Sequence, residues 1–204
     1  MKVGIIDYGL GNLRSVAGAV ERVGHEPMIT GDIGELERTD RLILPGVGAF
    51  GDGMANLRRM NLIEPLTELV KRGRPILGIC LGAQLMASDS QEFGYHAGLN
   101  WIQANVVRLH PQDPTLRVPH VGWNNMHQAR PSILFEGVLE DGLFYYVHSF
   151  WIACAQADLV IGECEYGQTI TAAFQHGNVF GTQFHPEKSQ LHGLTLLRNF
   201  LERS

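Results

Sequence analysis

Cysteine is scarce in this sequence and follows no metal-binding pattern. Its 204 residues include only Cys80, Cys154 and Cys164. An odd number without paired spacing argues against a disulfide framework or a zinc site. Basic runs are also absent, and a net charge of −5 gives no indication of nucleic-acid binding. We therefore expect a protein of a reducing compartment, the cytoplasm, that does not bind nucleic acid.

Long apolar runs and cofactor motifs are missing as well. No apolar stretch approaches the roughly 20 residues that a membrane span needs. The opening residues 1–7 (MKVGIID) are interrupted too early for a signal peptide. The sequence has no phosphate-cradling GxxxxGK loop and no His/Cys/Asp/Glu cluster of metal-ligand spacing. We expect no membrane anchor and no cofactor.

What remains is the composition and patterning of an ordinary globular α/β protein. Hydrophobic residues make up 45% of the chain and charged residues 18%, and the length suits a single domain over residues 1–204. Short apolar strands alternate with helices in the first half, which predicts a mostly parallel central sheet flanked by helices. From about residue 105 the pattern changes to strands joined by turns, which predicts antiparallel strands in the second half.

Element boundaries follow from the same patterning. The predicted strands cover residues 3–7, 41–44, 75–79, 142–148, 159–166, 169–175 and 179–184. The predicted helices cover about residues 12–23, 54–72 and 191–203, with a further helix directly after residue 80. Residues 176–178 (HGN) predict a hairpin turn between the last two strands.

Residues 78–82 (GICLG) carry the first chemical signal. A strand that turns abruptly into a helix strains the residue at the bend, and the turn closes only if the residues two before and two after are very small. Here both are glycine, Gly78 and Gly82. Such an elbow would hold the sulfur of Cys80 at a helix N-terminus, where partial positive charge favours a thiolate. The alternative, a small buried cysteine at a strand end, is the commoner role of a lone cysteine.

Residues 181–189 (GTQFHPEKS) carry the second signal. Proline restricts the residue before it to extended geometry, so His185 should end a strand and Glu187 should lie on the same face. The carboxylate could then orient the imidazole and stabilise its protonated form. Either residue alone is typical of an exposed surface. Together with the elbow they predict a Cys80–His185–Glu187 triad.

These motifs resemble the class I (triad) glutamine amidotransferases, and within them the glutaminase subunits of imidazole glycerol phosphate synthase in histidine biosynthesis. The elbow and the His-Pro-Glu segment are shared by all triad glutaminases. The narrower resemblance rests on residues 7–15 (DYGLGNLRS), 44–50 (LPGVGAF), 118–124 (VPHVGWN) and 146–149 (YVHS). It implies a flavodoxin-like amidotransferase fold and hydrolysis of L-glutamine to glutamate and ammonia through a thioester.

The oxyanion of such a reaction needs preorganised donors, typically two backbone N–H groups. The amide of Leu81 follows the nucleophile and is one candidate. The resemblance implies the amide of Val47 as the second, with Gly46 and Gly48 letting the peptide turn. The alternative for this loop is an ordinary strand-to-helix turn.

Glutamine itself must also be held. Gln84 stands four residues after Cys80 on the same helix face, and Glu92 in the following loop could accept the substrate ammonium. A solvated loop acid is the alternative for Glu92. The resemblance adds the strand end formed by His148, Ser149 and Phe150, where tyrosine is common in relatives at position 150.

Released ammonia requires an acceptor, and the resemblance implies a separate (β/α)8 barrel synthase reached through a shielded channel. Trp123 would suit an interface anchor, although a core aromatic is the alternative. Asn12 is also a candidate helix N-cap. The matched motifs give these interface candidates: Tyr8, Asn12, Arg14, Trp123, Asn124, Tyr146 and Lys188.

Three other functions remain open at this point. A paralogous glutaminase could supply ammonia to a sugar-modifying partner in surface polysaccharide synthesis. A catalytically silent scaffold would predict a broken triad. A cysteine hydrolase of γ-glutamyl peptides would act alone and would not use an aromatic docking face.

Overall fold

The computed structural model describes residues 1–140 and 142–204. Strands and helices alternate in the first half, as the patterning predicts. The strands there are β1 (Lys2–Ile6), β2 (Glu26–Thr30), β3 (Arg41–Leu44) and β4 (Ile76–Ile79). The helices are α1 (Leu13–Arg22), α2 (Ile33–Leu36), α3 (Phe50–Arg59), α4 (Ile63–Lys71) and α5 (Leu81–Leu85).

The second half is mainly β-structure and closes with one long helix. Its strands are β5 (Asp89–Ser90), β6 (His96–Ala97), β7 (Ala104–Arg108), β8 (His120–Gln128), β9 (Gly142–His148), β10 (Phe150–Cys154), β11 (Val160–Glu165), β12 (Thr169–His176) and β13 (Val179–Thr182). Three 3-10 turns lie at Ile133–Phe135, Ala157–Leu159 and Pro186–Lys188. Helix α6 (Gln190–Arg203) is the last element.

Among the described residues, nine strands form the main sheet, in the order β2-β1-β3-β4-β13-β12-β11-β8-β9. The pairs from β2 to β13 are parallel, and those from β13 to β9 are antiparallel. A smaller sheet has the order β10-β7-β5-β6. The predicted fold, a mostly parallel half followed by antiparallel strands, is therefore confirmed.

The position of β13 is decisive for the site. This late strand pairs with β4 in parallel, with Thr182 opposite Ile79. The backbone N–H of Cys80 also donates to the carbonyl of Thr182, at 2.8 Å. Since the carboxyl ends of parallel strands meet at one edge of a sheet, the elbow and the His-Pro-Glu segment start side by side.

The main sheet has an apolar core on each face. Helices α1 and α6 cover one face, where Val20 and Phe200 are fully buried. Helices α3, α4 and α5 cover the other face, with Leu57 and Leu66 fully buried. This double cover explains why the central strands β3 and β4 are nearly continuous apolar runs.

Two features of the patterning are corrected. The single helix predicted over residues 54–72 is two helices, α3 and α4, separated where Asn61 adopts φ +53°. Asparagine adopts this left-handed conformation more readily than most residues, and a residue in this conformation cannot continue a right-handed helix. Strand β2, which was not predicted, contains Pro27 and lies at the sheet edge, where a missing N–H is tolerated.

The predicted hairpin turn is confirmed. The turn at residues 176–178 joins β12 to β13 with Gly177 at φ +57°. Across the described residues, no helix combines the length and the apolar character needed to cross a bilayer.

Candidate active site

Cys80 lies at a strained bend between β4 and α5. Its backbone has φ +54° and ψ −112°, outside the regions that a non-glycine residue normally adopts. A Cβ on Gly82 would lie 1.8 Å from the carbonyl oxygen of Leu44, and one on Gly78 would lie 2.6 Å from Cα of Ala83. Both glycines are therefore required by close backbone contacts, as the elbow motif predicts.

His185 and Glu187 form a buried pair behind the elbow. The Nδ1 of His185 donates to Oε1 of Glu187 at 2.8 Å, and the two side chains are only 2% and 1% exposed. The carbonyl of Tyr145 accepts from the backbone N–H of His185, and the hydroxyl of Ser189 donates to the carbonyl of His185. These bonds fix the backbone on which the imidazole is mounted.

The imidazole also interacts with the sulfur. Burial by itself would lower the pKa of His185, but the interactions of the ring with Cys80 and Glu187 outweigh burial and raise the pKa to about 9. Nε2 of His185 is buried and has no hydrogen-bond partner among the described residues. The two motifs, far apart in the sequence, therefore come together at one thiol and one imidazole.

A cavity of about 430 Å³ opens over the sulfur. Nearly all of the predicted glutamine-site and oxyanion residues line it, whereas His185 and Glu187 lie behind its wall. The lining residues are Val47, Gly48, Cys80, Leu81, Gln84, Glu92, Pro119, Val147, His148, Ser149, Phe150 and Lys188. The cavity is of a size that holds a small-molecule substrate.

The loop at residues 46–48 rests on the N-terminus of α5. A Cβ on Gly46 would lie 2.5 Å from the hydroxyl of Tyr8 and 2.8 Å from the backbone nitrogen of Gly82. Gly48 has φ +110°, which only glycine adopts readily, and Val47 is 40% exposed at the cavity. The hydroxyl of Tyr8 is buried and has no hydrogen-bond partner in residues 1–140 or 142–204.

Gln84 and Glu92 each make an internal hydrogen bond as well as lining the cavity. The Nε2 of Gln84 donates to the carbonyl of Phe150 at 2.9 Å and to Oε1 of Gln183 at 3.2 Å. The Oε2 of Glu92 accepts from the backbone N–H of Phe50 at 2.8 Å. Glu92 thus caps the N-terminus of α3, which has no capping side chain at Ala49.

The side chain of His148 turns away from the cavity into a pair of neutral histidines. Its Nδ1 donates to the carbonyl of Phe150 at 2.9 Å, so its Nε2 must accept from Nδ1 of His120 at 3.1 Å. Burial lowers the pKa of His148 to about 3 and that of His120 to about 4. The rings of Tyr146 and Tyr166 stack on the two faces of His120, at 4.7 and 3.9 Å between centroids.

Sequence reasoning missed two polar residues of this region, His120 as part of the histidine pair and Gln183. The signal for Gln183 is the parallel register, which places it beside Cys80 once β4 and β13 are known to pair. The signal for His120 is its position opposite His148 in the β8–β9 register. Neither pairing follows from local sequence.

A model of the glutamine amidotransferase class-I family matches residues 5–204. The chain belongs to the class-I glutamine amidotransferase family. Two relatives are nearly equal in length to it. Imidazole glycerol phosphate synthase subunit HisH of Syntrophotalea carbinolica is 46% identical over 200 residues, covering 96% of this chain and 97% of the relative. The protein of the same name from Moorella thermoacetica is also 46% identical over 200 residues, with 98% and 94% covered.

Solved structures show the same amidotransferase fold at lower identity. One described as a glutamine amidotransferase has a TM-score of 0.76 and 21% identity, with 98% of this chain and 97% of that chain covered. A glutamine amidotransferase from Thermotoga maritima has a TM-score of 0.69 and 17% identity, with 100% and 97% covered.

The interface candidates of this amidotransferase fall into two groups. Trp123 is 46% exposed, Asn12 and Arg14 are exposed, and Asn12 caps α1 by accepting from the backbone N–H of Ser15 at 3.3 Å. Lys188 is half-buried, with Nζ 5.6 Å from the ring centroid of Tyr145.

The other candidates point inward. Tyr8 and Tyr146 are 0% exposed, so their side chains offer a partner no surface, and the expectation for both is corrected. Asn124 is half-buried, and its Nδ2 donates to the carbonyl of Glu165 at 2.9 Å. Strand alternation explains the division, since Tyr146 and Asn124 lie on the core face of β9 and β8 and Trp123 lies on the opposite face.

Proposed function

We propose that this chain is the glutaminase subunit of an imidazole glycerol phosphate synthase and serves histidine biosynthesis. The observation that carries the proposal is the strained Cys80 beside a buried His185–Glu187 pair, opening into a cavity in a chain of this family. The names of the relatives support histidine synthesis over the surface-polysaccharide paralogue. A silent scaffold would have a broken triad, and all three side chains are present and adjacent.

The pKa of His185 sets the starting protonation state. The raised pKa of His185, about 9, favours transfer of the Cys80 proton to the imidazole, which leaves a thiolate for the attack. The thiolate adds to the carboxamide carbon of glutamine, and His185 donates its proton to the amide nitrogen as the C–N bond breaks. Ammonia leaves, and Cys80 holds a γ-glutamyl thioester.

Hydrolysis of the thioester reverses the proton movement. Neutral His185 takes a proton from water, and the resulting hydroxide adds to the thioester carbon. The C–S bond then breaks, which releases the side-chain acid of glutamate and regenerates the thiolate next to the imidazolium. Throughout, Glu187 holds the ring by Nδ1 and stabilises its protonated form.

The oxyanion of both tetrahedral intermediates would lie between the amides of Leu81 and Val47, which we propose as its donors. Gly46 and Gly48 serve this arrangement differently. Gly46 permits the tight contact with α5, and Gly48 provides a backbone conformation that other residues avoid.

We assign the amino-acid head of glutamine to the opposite end of the cavity. Both protons of the Gln84 amide nitrogen are used internally, so this side chain offers its carbonyl oxygen to the substrate. The second carboxylate oxygen of Glu92 remains for the ammonium group. The backbone of His148, Ser149 and Phe150 supplies further polar groups along the wall.

Ammonia transfer requires the synthase's other subunit, which we propose as a (β/α)8 barrel docked on the exposed face of β8 and β9. Along this face Val121 lies opposite Val147 and Trp123 opposite Tyr145. Val121, Trp123 and Val147 are 56%, 46% and 36% exposed. Val147 also lines the Cys80 cavity, so a partner on this face would cover the cavity mouth. The three cysteines are free, and we place the reaction in the cytoplasm.

The test is glutamate release from glutamine by the purified chain, with and without the cyclase subunit from the same organism. We expect turnover that the cyclase subunit stimulates strongly. A Cys80→Ala variant of the complex should lose glutamine-dependent product formation and keep activity with added ammonium salt. Absence of glutaminase activity in the complex, or equal activity with and without the cyclase, would contradict this assignment.

A further inference from the structure

Gln183 is a buried polar side chain that contacts the reacting sulfur. It is 1% exposed, and its Nε2 lies 3.8 Å from Sγ of Cys80, within hydrogen-bonding range for sulfur. Its position follows from the sheet: Thr182 pairs with Ile79, so the next residues of the two strands, Gln183 and Cys80, leave the sheet edge together. The backbone N–H of Gln183 donates to the carbonyl of Ala172 at 2.8 Å, which holds its main chain in place.

A chain of hydrogen bonds fixes which end of the Gln183 amide faces the sulfur. The carbonyl of Phe150 can only accept, so the amide nitrogen of Gln84 must face it, at 2.9 Å. The same nitrogen donates its second proton to Oε1 of Gln183 at 3.2 Å. The nitrogen of Gln183 is therefore turned toward Cys80. Because the chain begins at a backbone carbonyl, none of these amides can be reversed without losing a buried hydrogen bond.

We propose that Gln183 is a further catalytic residue of the proposed glutaminase reaction, whose N–H donor stabilises the Cys80 thiolate. The inference rests on the proposed function, since it assigns the donor a part in thiolate chemistry. A thiol sulfur is a weak acceptor and a thiolate a much stronger one, so the donor favours the charged form. The same N–H also favours release of the thiolate when the C–S bond of the thioester breaks.

His185 and Gln183 act on the sulfur in different ways. The imidazolium of His185 stabilises the thiolate by its charge, and it gives up that charge when its proton passes to the leaving nitrogen. The amide of Gln183 does not titrate, so it remains a donor at every stage of the cycle. Tyr8 and His185 both interact electrostatically with Cys80, and neither is changed by substitution at position 183.

The test is the pH profile of Cys80 alkylation by iodoacetamide, measured on the full chain by mass spectrometry of the Cys80 peptide. Gln183→Met keeps the length of the side chain and removes the donor. We expect the midpoint of its profile to lie about one pH unit above that of the wild type, so that alkylation below both midpoints is about tenfold slower. Above both midpoints the rates should agree, whereas a distorted site would be slower at every pH.

A second variant and a matched control complete the test. Gln183→Leu also removes the donor, with a different side-chain shape and no added charge, and it should raise the midpoint by a similar amount; it decides the question if the Met variant does not fold. Gln175→Met removes an equally long amide from β12, whose side chain accepts a hydrogen bond from the hydroxyl of Ser132, and it should leave the profile unchanged. Equal midpoints in the wild type and both Gln183 variants would overturn the proposal. A wild-type complex without glutaminase activity would instead refute the proposed function, and the alkylation comparison would still be readable.

Discussion

Removing the charge of Glu187 should weaken the proposed active site by a calculable amount. Glu187→Gln keeps the shape of the side chain and its acceptor oxygen but removes a negative charge 2.8 Å from Nδ1 of His185. The rise in the pKa of His185 from 6.5 to about 9 corresponds to roughly 3 kcal/mol in favour of the imidazolium. A buried hydrogen bond to a charged group contributes about 1.5–3 kcal/mol to such a preference for the charged form. We therefore expect the pKa of His185 to fall back toward 6.5 and glutamine turnover to drop about 10- to 100-fold.

The His185–Glu187 pair should also make the stability of the fold depend on pH. Folding raises the pKa of His185 above its ordinary value. The contribution of this group to the free energy of unfolding is therefore fully present below pH 6.5 and is lost as pH rises through about 9. Urea unfolding of the wild type between about pH 6 and 10 should show a loss of up to about 3 kcal/mol from this group. The Glu187→Gln variant should show a smaller loss over the same range.

The assay is NMR titration of the histidine side chains in the chain, with the His185 signal assigned by its absence in His185→Asn, alongside steady-state turnover of the complex. Glu202→Gln is the matched control, since it removes a carboxylate from another histidine pair. In that pair Oε1 of Glu202 lies 3.4 Å from Nε2 of His25, and the Glu202 side chain is 46% exposed. The control variant should leave turnover unchanged. If His185 of Glu187→Gln still titrated near 9 with wild-type turnover, our reasoning about the pair would be refuted.

Three further substitutions test other parts of the structure. Gly82→Ala places a Cβ 1.8 Å from the carbonyl oxygen of Leu44 and should lower the free energy of unfolding in urea by at least about 3 kcal/mol. Its control, Gly18→Ala, lies in open space on α1 and should raise that free energy by about 0.5–1 kcal/mol. Similar values for both variants would contradict the elbow packing. Tyr8→Phe removes a buried hydroxyl without a partner among the described residues, so its melting temperature should equal or exceed that of the wild type, and a clear decrease would reveal a partner for the hydroxyl. Trp123→Ala should weaken association with the cyclase subunit by about 2 kcal/mol in calorimetry while leaving the unfolding of the isolated chain unchanged, and undiminished affinity would place the interface elsewhere.

Local chemistry made much of the site predictable. The elbow follows from two glycines flanking Cys80, because backbone contacts of 1.8 and 2.6 Å leave no room for a Cβ. The predicted contact between His185 and Glu187 is present, but its geometry differs from the prediction. Strand β13 ends at Thr182, before His185, and Pro186–Lys188 form a 3-10 turn rather than extended chain. The need for glycine at position 82 is also a long-range effect, since the neighbouring carbonyl belongs to Leu44 of β3.

Burial and long-range pairing were less predictable. Tyr8 and Tyr146 stand in motifs that suggest an interface, yet both are core residues, because the elements that cover them lie far away in the sequence. The break between α3 and α4 at Asn61 is also hard to predict, because the helical sequence pattern continues on both sides of it.

The sequence by itself determined the alternation of strands and helices, the position of the bend at Cys80 and the closeness of Glu187 to His185. Only the tertiary structure decided that β13 lies beside β4, which brings His185 and Gln183 to the sulfur. It also decided the raised pKa of His185, since burial opposes the charge on the imidazole and the interactions with Cys80 and Glu187 outweigh burial. Such effects arise from groups about a hundred residues apart, and no local pattern encodes their proximity.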